Sequence, residues 1–113
     1  MRRGATAREA PLLMGLDLGT TFSKGVVMGA DGREYASARR MNRYDHPAEG
    51  WVEMEAGKWL DEVFGLIREL AAAAPGPVRA LAFSCASGNT LLCDEEGRPV
   101  TSIINWMDQR AAR

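Results

Sequence analysis

One histidine and two cysteines are nearly all the soft or readily titrated chemistry that the 113 residues contain. His46 stands in Tyr-Asp-His-Pro, on a stretch without periodicity and with no second ligand or base beside it. It reads as a solvated loop residue, not as part of a metal centre or a catalytic relay. Cys85 and Cys93 are too far apart for a Cys-x-x-Cys motif and too few for a disulfide scaffold, which suits a reducing compartment, the cytoplasm. Both are expected as small apolar fillers of strand ends. No apolar run approaches the roughly 20 residues of a membrane helix. The basic start Met1-Arg-Arg is followed only by the short apolar run Pro11 to Met14, less than a secretory signal needs. Charge of one sign is scarce as well: 14 basic and 15 acidic side chains, interspersed, leave a net charge of −1. That balance builds no phosphate-backbone footprint. Neither a membrane nor a nucleic acid is therefore the expected partner.

The chain does have the makings of a core. Hydrophobic residues make up 46% and charged residues 26%, the proportions of an ordinary folded chain. The length suits one small domain or part of a larger one. Residues 1–11 offer three arginines but no large apolar side chain before Leu12, apart from Met1, and read as a disordered tail. Leu-Leu-Met-Gly-Leu-Asp-Leu from Leu12 is apolar on both faces, as a buried central strand is. Gly19-Thr20-Thr21 turns the chain into a second strand, Phe22 to Gly29. Ala30-Asp31-Gly32 then turns it into a third near Glu34 to Arg39. Residues 41–55 have no period and read as a connection.

Trp59, Leu60, Val63, Phe64, Ile67 and Leu70 recur at helical steps, so an amphipathic helix follows, ended by Pro75-Gly76-Pro77. Glu53 or Glu55 is placed to cap its start. Val78 to Ser84 reads as a buried strand parallel to the first, reached by a helical crossover. Thr90 to Asp94 and Val100 to Ile104 flank a glycine turn as a second hairpin, and Trp106 onward reads as the opening of a helix. The expected unit is α/β, in the order β-β-β-α-β with an added hairpin, and incomplete. Its fourth strand lacks a neighbour on one side, so self-association through exposed strand edges is expected, with Val78 to Phe83 as the seam.

Gly15-Leu-Asp-Leu-Gly-Thr-Thr-Phe-Ser-Lys24 carries the most chemistry. A strand delivers Asp17 into a glycine turn with two hydroxyls and then a lysine. Gly19 lets the backbone approach a phosphate, Thr20 and Thr21 can donate hydroxyl and amide hydrogens, Lys24 supplies a cation, and Asp17 can hold a hydrated magnesium ion. The plain alternative is a tight hairpin with a capped carboxylate.

This stretch resembles the first phosphate loop of the actin, hexokinase and heat-shock-chaperone ATPases, whose ribonuclease-H-like domains begin with the same β-β-β-α-β order. Two further segments narrow the resemblance. Gly50-Trp51-Val52-Glu53 before a Trp-bearing helix, and Asp94-Glu-Glu-Gly-Arg-Pro99 with Ile104-Asn-Trp-Met-Asp-Gln-Arg110, are similar to the FGGY carbohydrate kinases, the xylulokinase and glycerol kinase group. The resemblance runs from about Met14 to Arg113. It implies that residues 12–113 are part of an N-terminal kinase domain, and that the full-length protein uses ATP and magnesium to phosphorylate a small-molecule sugar or polyol. It also implies that the family's general base and adenosine pocket lie further along, so this stretch is expected to be inactive alone.

Gly19, Thr20, Thr21 and Lys24 are then the phosphate residues and Asp17 the metal residue. Ser87, Trp106, Asp108 and Arg110 correspond to substrate positions, with the two groups expected to separate kinetically; the plain alternatives are an indole packed in the sheet for Trp106 and an ion pair capping the next helix for Asp108 and Arg110. Ser84-Cys-Ala-Ser-Gly-Asn-Thr90 departs from the Ser-Gly-Gln-Met-His-Gly of xylulokinases and the Asn-Gln-Arg-Glu-Thr of glycerol kinases, so which sugar is used stays open. A non-enzymatic or chaperone-type member of the superfamily is the alternative, resting on the phosphate loop alone.

Overall fold

A computed structural model describes residues 10–112. The expected tail lies outside the described residues except for Ala10 and Pro11, both exposed. Strand β1, Leu12–Leu18, is followed by two antiparallel neighbours in turn, β2 (Phe22–Gly29) and β3 (Glu34–Met41). Strand β5 (Val78–Cys85) runs parallel to β1 on its other side. The four-stranded sheet thus has the order β3-β2-β1-β5. A two-stranded sheet pairs β4 (Glu53–Met54) with β6 (Ile103–Ile104). The segment read as a bare connection therefore contributes a strand. The second hairpin survives as the bridges Cys93↔Pro99 and Thr90↔Ile104 around β6.

Alternation sets the faces of β1. Leu12, Met14, Leu16 and Leu18 are buried on one side, and Asp17 is exposed on the other. Helix α1, Ala56–Ala73, lies on the buried side against β2 and β3, and closes the core with Val63, Leu66 and Leu70. These positions, three and four residues apart, share one helix face. Glu55 caps the helix, its carboxylate accepting from the N–H groups of Gly57 (2.9 Å) and Lys58 (2.8 Å). Glu53, the other capping candidate, pairs elsewhere.

Four expectations fail for physical reasons. Val78–Cys85 forms the expected parallel strand but is an exposed edge, with Phe83 64% accessible, because α1 sits over β2 and β3 and leaves that flank uncovered. Leu60 and Phe64, counted into the helix's apolar stripe, are exposed for the same reason, while Leu66 takes the core position. Cys85 and Cys93 are exposed, not fillers. Residues 106–112 form turns instead of a helix. The side chains of Asn105 and Asp108 accept from the N–H groups two residues on, Met107 and Arg110, at 2.9 Å each, and such local bonds compete with the helical ladder.

Candidate functional site

Between β1 and β2 the chain reverses over Gly19, Thr20 and Thr21. Gly19 N–H donates to the Phe22 carbonyl at 3.1 Å. A Cβ on Gly19 would stand 3.1 Å from that same oxygen and 3.6 Å from Asp17 Oδ1. The glycine thus permits the tight reversal and lets the Asp17 carboxylate lie along the loop. Thr20 is half-buried and Thr21 exposed, and their backbone N–H groups take no partner among the described residues. Unpaired amides at a turn are a ready anion cradle. Asp17 faces Lys24 across the hairpin, with Nζ to Oδ2 at 3.7 Å. Both side chains are more than half exposed, so Asp17 is not the buried acid that its apolar strand suggested. The next register partner of Lys24 is Arg39, which adds a second cation to that face.

Side chains outside the motif hold this loop. Asn42 Nδ2 donates to the carbonyls of Gly19 (2.7 Å) and Thr20 (3.0 Å). Its Oδ1 accepts from Ser23 Oγ at 3.1 Å, and Ser23 is only 1% accessible. The Tyr44 hydroxyl also donates to the Thr20 carbonyl. Burial raises the Tyr44 pKa above its ordinary value, with hydrogen bonds to Asn42 and Asn105 opposing the shift. Sequence reasoning passed over Asn42 and Tyr44 because they lie in the aperiodic connection. The available signal was hairpin register: pairing Phe22 with Met41 sets Asn42 beside Thr21, where its N–H donates to the Thr21 carbonyl at 2.8 Å.

Trp106 arrives at the same loop from the far end of the chain. Its indole Nε1 donates to Thr20 Oγ1 at 2.9 Å, although the residue is 54% accessible. Its backbone N–H donates to Asn89 Oδ1 at 2.9 Å. Gly88 has φ of +84°, and a Cβ there would stand 3.2 Å from Trp106 Cβ, so the turn after β5 presses against the tryptophan. Ser87, in that turn, is exposed beside it. The structure therefore brings Trp106 to the Gly19–Thr21 turn.

Asp108 and Arg110, the other two expected substrate residues, turn inward. The Asp108 side chain is 3% accessible. It accepts from the Val52 N–H (2.7 Å), the Arg110 N–H (2.9 Å) and Arg110 Nε (2.8 Å). Arg110 Nη2 reaches Asp108 Oδ2 and Glu53 Oε1, both at 2.7 Å, while the guanidinium lies 3.9 Å over the Trp51 ring. Hydrogen bonds from Arg110 hold the Asp108 carboxyl well below the usual carboxylate range, and those from Asp108 push Arg110 above its own. This cluster fastens the Trp106 turn to β4. His46 is exposed, with Nδ1 3.0 Å from the Trp51 carbonyl, a loop contact as expected. An apolar-walled cleft of about 210 Å³ adjoins Gly19, between Leu18, Met54, Trp59, Asn89 and Thr90.

Comparison with known proteins supplies the chemical context. Residues 12–113 match the family model described as the FGGY family of carbohydrate kinases, N-terminal domain. The chain is 31% identical over 105 residues to a glycerol kinase of Acinetobacter baylyi, a match covering 89% of this chain and 21% of the relative. Among solved structures, gluconate kinase from Lactobacillus acidophilus superposes with a TM-score of 0.82 at 24% identity, over 88% of this chain and 20% of that one. Plasmodium falciparum glycerol kinase, crystallised with ADP, does so with a TM-score of 0.77 at 16% identity, over 89% and 21%. The expected ribonuclease-H-like, actin-type ATPase fold is thereby shown. The chain spans about a fifth of the length of the curated relatives it matches.

Proposed function

Because the chain belongs to the FGGY family of carbohydrate kinases, we propose that residues 12–113 are part of an N-terminal domain that supplies the phosphate loop and part of the acceptor site of an enzyme. That enzyme transfers the γ-phosphate of ATP to a hydroxyl of a sugar or polyol. The observation that carries this reading is the meeting, at Thr20, of a glycine turn with free amides and a half-exposed indole. Phosphoryl transfer depends on positioning and on stabilising charge over the phosphate oxygens. The Thr20 and Thr21 amides and hydroxyls and the Lys24 ammonium serve those oxygens. The exposed Trp106 face and Ser87 receive the acceptor alcohol. Asp108 and Arg110 act at one remove, holding the Trp106 turn in place.

Magnesium fits the donor set. Among the described residues no three acidic, histidine or cysteine side chains gather, as a dedicated protein cage would require. Magnesium commonly keeps its waters and takes one or two carboxylates beside phosphate oxygens. Asp17, exposed and lying along Gly19, meets that demand. The ion, when bound, neutralises charge on the phosphates.

The described acid beside the loop, Asp17, faces Lys24 and is assigned to magnesium, and His46 lies on the Trp51 carbonyl, so neither is offered as a general base. Residues 1–113 alone should therefore release no ADP in a sugar-dependent manner. The family match, which takes in the Trp106–Arg110 segment, favours a kinase over a chaperone-type member. The test is ADP release by the longest natural polypeptide carrying these residues, screened with polyols, pentoses, hexoses and sugar acids. Acceptor-dependent release that falls steeply in Asp17→Asn supports the proposal. Absence of release with every acceptor refutes it.

A further inference from the structure

The Trp106 indole makes one side-chain hydrogen bond, and it goes to the loop residue best placed for a phosphate. An indole N–H can only donate, whereas a hydroxyl has one proton to give and two lone pairs to receive. The direction of this bond is therefore fixed: Thr20 Oγ1 accepts. With that lone pair occupied by the ring, the hydroxyl proton of Thr20 must turn elsewhere, and no described residue receives it. The Thr20 carbonyl is already tied down, held by Asn42 and Tyr44.

The indole is itself placed by backbone contacts on its other side. The Trp106 N–H is held by Asn89, and Asn105, 2% accessible, also donates to Asn89 Oδ1 at 3.3 Å. Gly88 closes against Trp106 Cβ. The main chain at Trp106 is thus rigid while the ring is half open. For a ring with so little packed around it, the bond to Thr20 is what sets the side-chain orientation.

We propose that Trp106 is a positioning residue for phosphate: its indole N–H, donating to Thr20 Oγ1, aims the Thr20 hydroxyl proton outward into the loop's anion cradle. This couples the state of the ring to the loop. A molecule lying on the indole face steadies the donor, the donor steadies the hydroxyl, and phosphate binding strengthens the same arrangement in return, as reciprocal coupling requires. The inference rests on the reading of the Gly19–Thr21 turn as a phosphate loop.

The experiment uses ¹H–¹⁵N spectra of the longest natural polypeptide carrying these residues, with magnesium pyrophosphate as probe. The Trp106 indole signal is identified by its loss in Trp106→Phe. Thr20→Val removes the acceptor, so the indole N–H should shift and exchange with water about 5-fold faster, a factor in keeping with one ordinary hydrogen bond. Thr20→Ser should restore it, which a merely structural perturbation would not do. On adding pyrophosphate to the wild type, the Gly19–Thr21 amides and the Trp106 indole should move together, and Trp106→Phe should weaken that binding about 5-fold. If the loop amides move while the indole stays still, or if Trp106→Phe binds pyrophosphate as well as the wild type, the coupling is refuted and the phosphate loop stands. If no amide of the loop moves, the phosphate reading falls and this inference falls with it.

Discussion

Asn42→Ala is the sharpest perturbation of the Gly19–Thr21 turn that leaves the turn's own sequence intact. The side chain donates to the carbonyls of Gly19 at 2.7 Å and Thr20 at 3.0 Å and accepts from Ser23 at 3.1 Å. Each ordinary hydrogen bond contributes about 0.5–1.5 kcal/mol net, and a buried donor left without a partner costs about 1–3 kcal/mol. Two lost carbonyl bonds and an orphaned Ser23 hydroxyl at 1% accessibility together give a loss of about 3 kcal/mol, or roughly 150-fold in the folding equilibrium. Urea unfolding followed by circular dichroism measures it. Ser23→Ala added to Asn42→Ala should recover about 1 kcal/mol, because it removes the stranded hydroxyl. Asn42→Asp keeps the acceptor for Ser23 but turns a carboxylate oxygen toward two carbonyl oxygens. It should be no better than alanine at neutral pH and should improve as its carboxyl protonates, since it can then donate once. An Asn42→Ala variant within about 0.5 kcal/mol of wild type, or an Asn42→Asp variant as stable as wild type at pH 7, would refute the argument that Asn42 carries the loop.

Four further outcomes are expected. Asp108 has a folded-state pKa depressed by Arg110, so its stabilisation is present above its usual value of about 3.8 and is lost as pH falls through the lower folded value. The melting-temperature gap between wild type and Asp108→Asn should therefore be wide and level from pH 5 to 7 and narrow below about 4; a gap unchanged down to pH 2 would contradict it. Gly25→Ala would place a Cβ 2.4 Å from Leu70 Cδ1 and 2.8 Å from Leu16 Cδ2, both in the core, and should cost about 1–3 kcal/mol by overpacking. Gly15→Ala meets only Val26 Cγ1 at 3.6 Å and should stay within about 0.5 kcal/mol of wild type by the same denaturation assay. The 113-residue chain should associate with rising concentration through the open edge of β5, and a concentration-independent monomer in sedimentation would rule this out.

Alternation and turn chemistry made β1, β2 and the loop between them legible, because Leu12 to Leu18 and Phe22 to Gly29 carry their own boundaries in Gly19 and Asp31-Gly32. Periodicity, however, reports which residues are apolar and not what covers them. Phe64 and Phe83 look like core residues in the sequence, yet α1 approaches the sheet most closely at β2 and β3, and both remain exposed. The Trp106–Arg110 segment shows a second limit. The family resemblance offered Trp106, Asp108 and Arg110 as substrate positions, with an Asp–Arg pair as the alternative for the last two, and the turns at Asn105 and Asp108 send Trp106 outward and Asp108 inward, where it pairs with Arg110. Asn42 and Tyr44 were missed for a third reason, although hairpin register places Asn42 beside Thr21. Their role is to hold backbone carbonyls, which imposes no pattern on neighbouring positions.

That last role follows from where this loop is built. Many phosphate loops open a helix, whose first-turn N–H groups and macrodipole supply a ready-made positive end. Here the chain leaves one strand and enters another, so no such dipole exists, and under the proposed phosphate reading the loop must obtain its field and rigidity from side chains. The field comes from Lys24, with Arg39 next to it in register. Rigidity requires that the Gly19 and Thr20 carbonyls be tied back, because a free carbonyl turned toward the cradle would repel the anion that the amides attract. Asn42 and Tyr44 do this, each donating to a loop carbonyl from the β3 side. The Thr20 hydroxyl is then the one polar group of that residue still able to rotate, and in the proposed arrangement the bond from Trp106 restricts it.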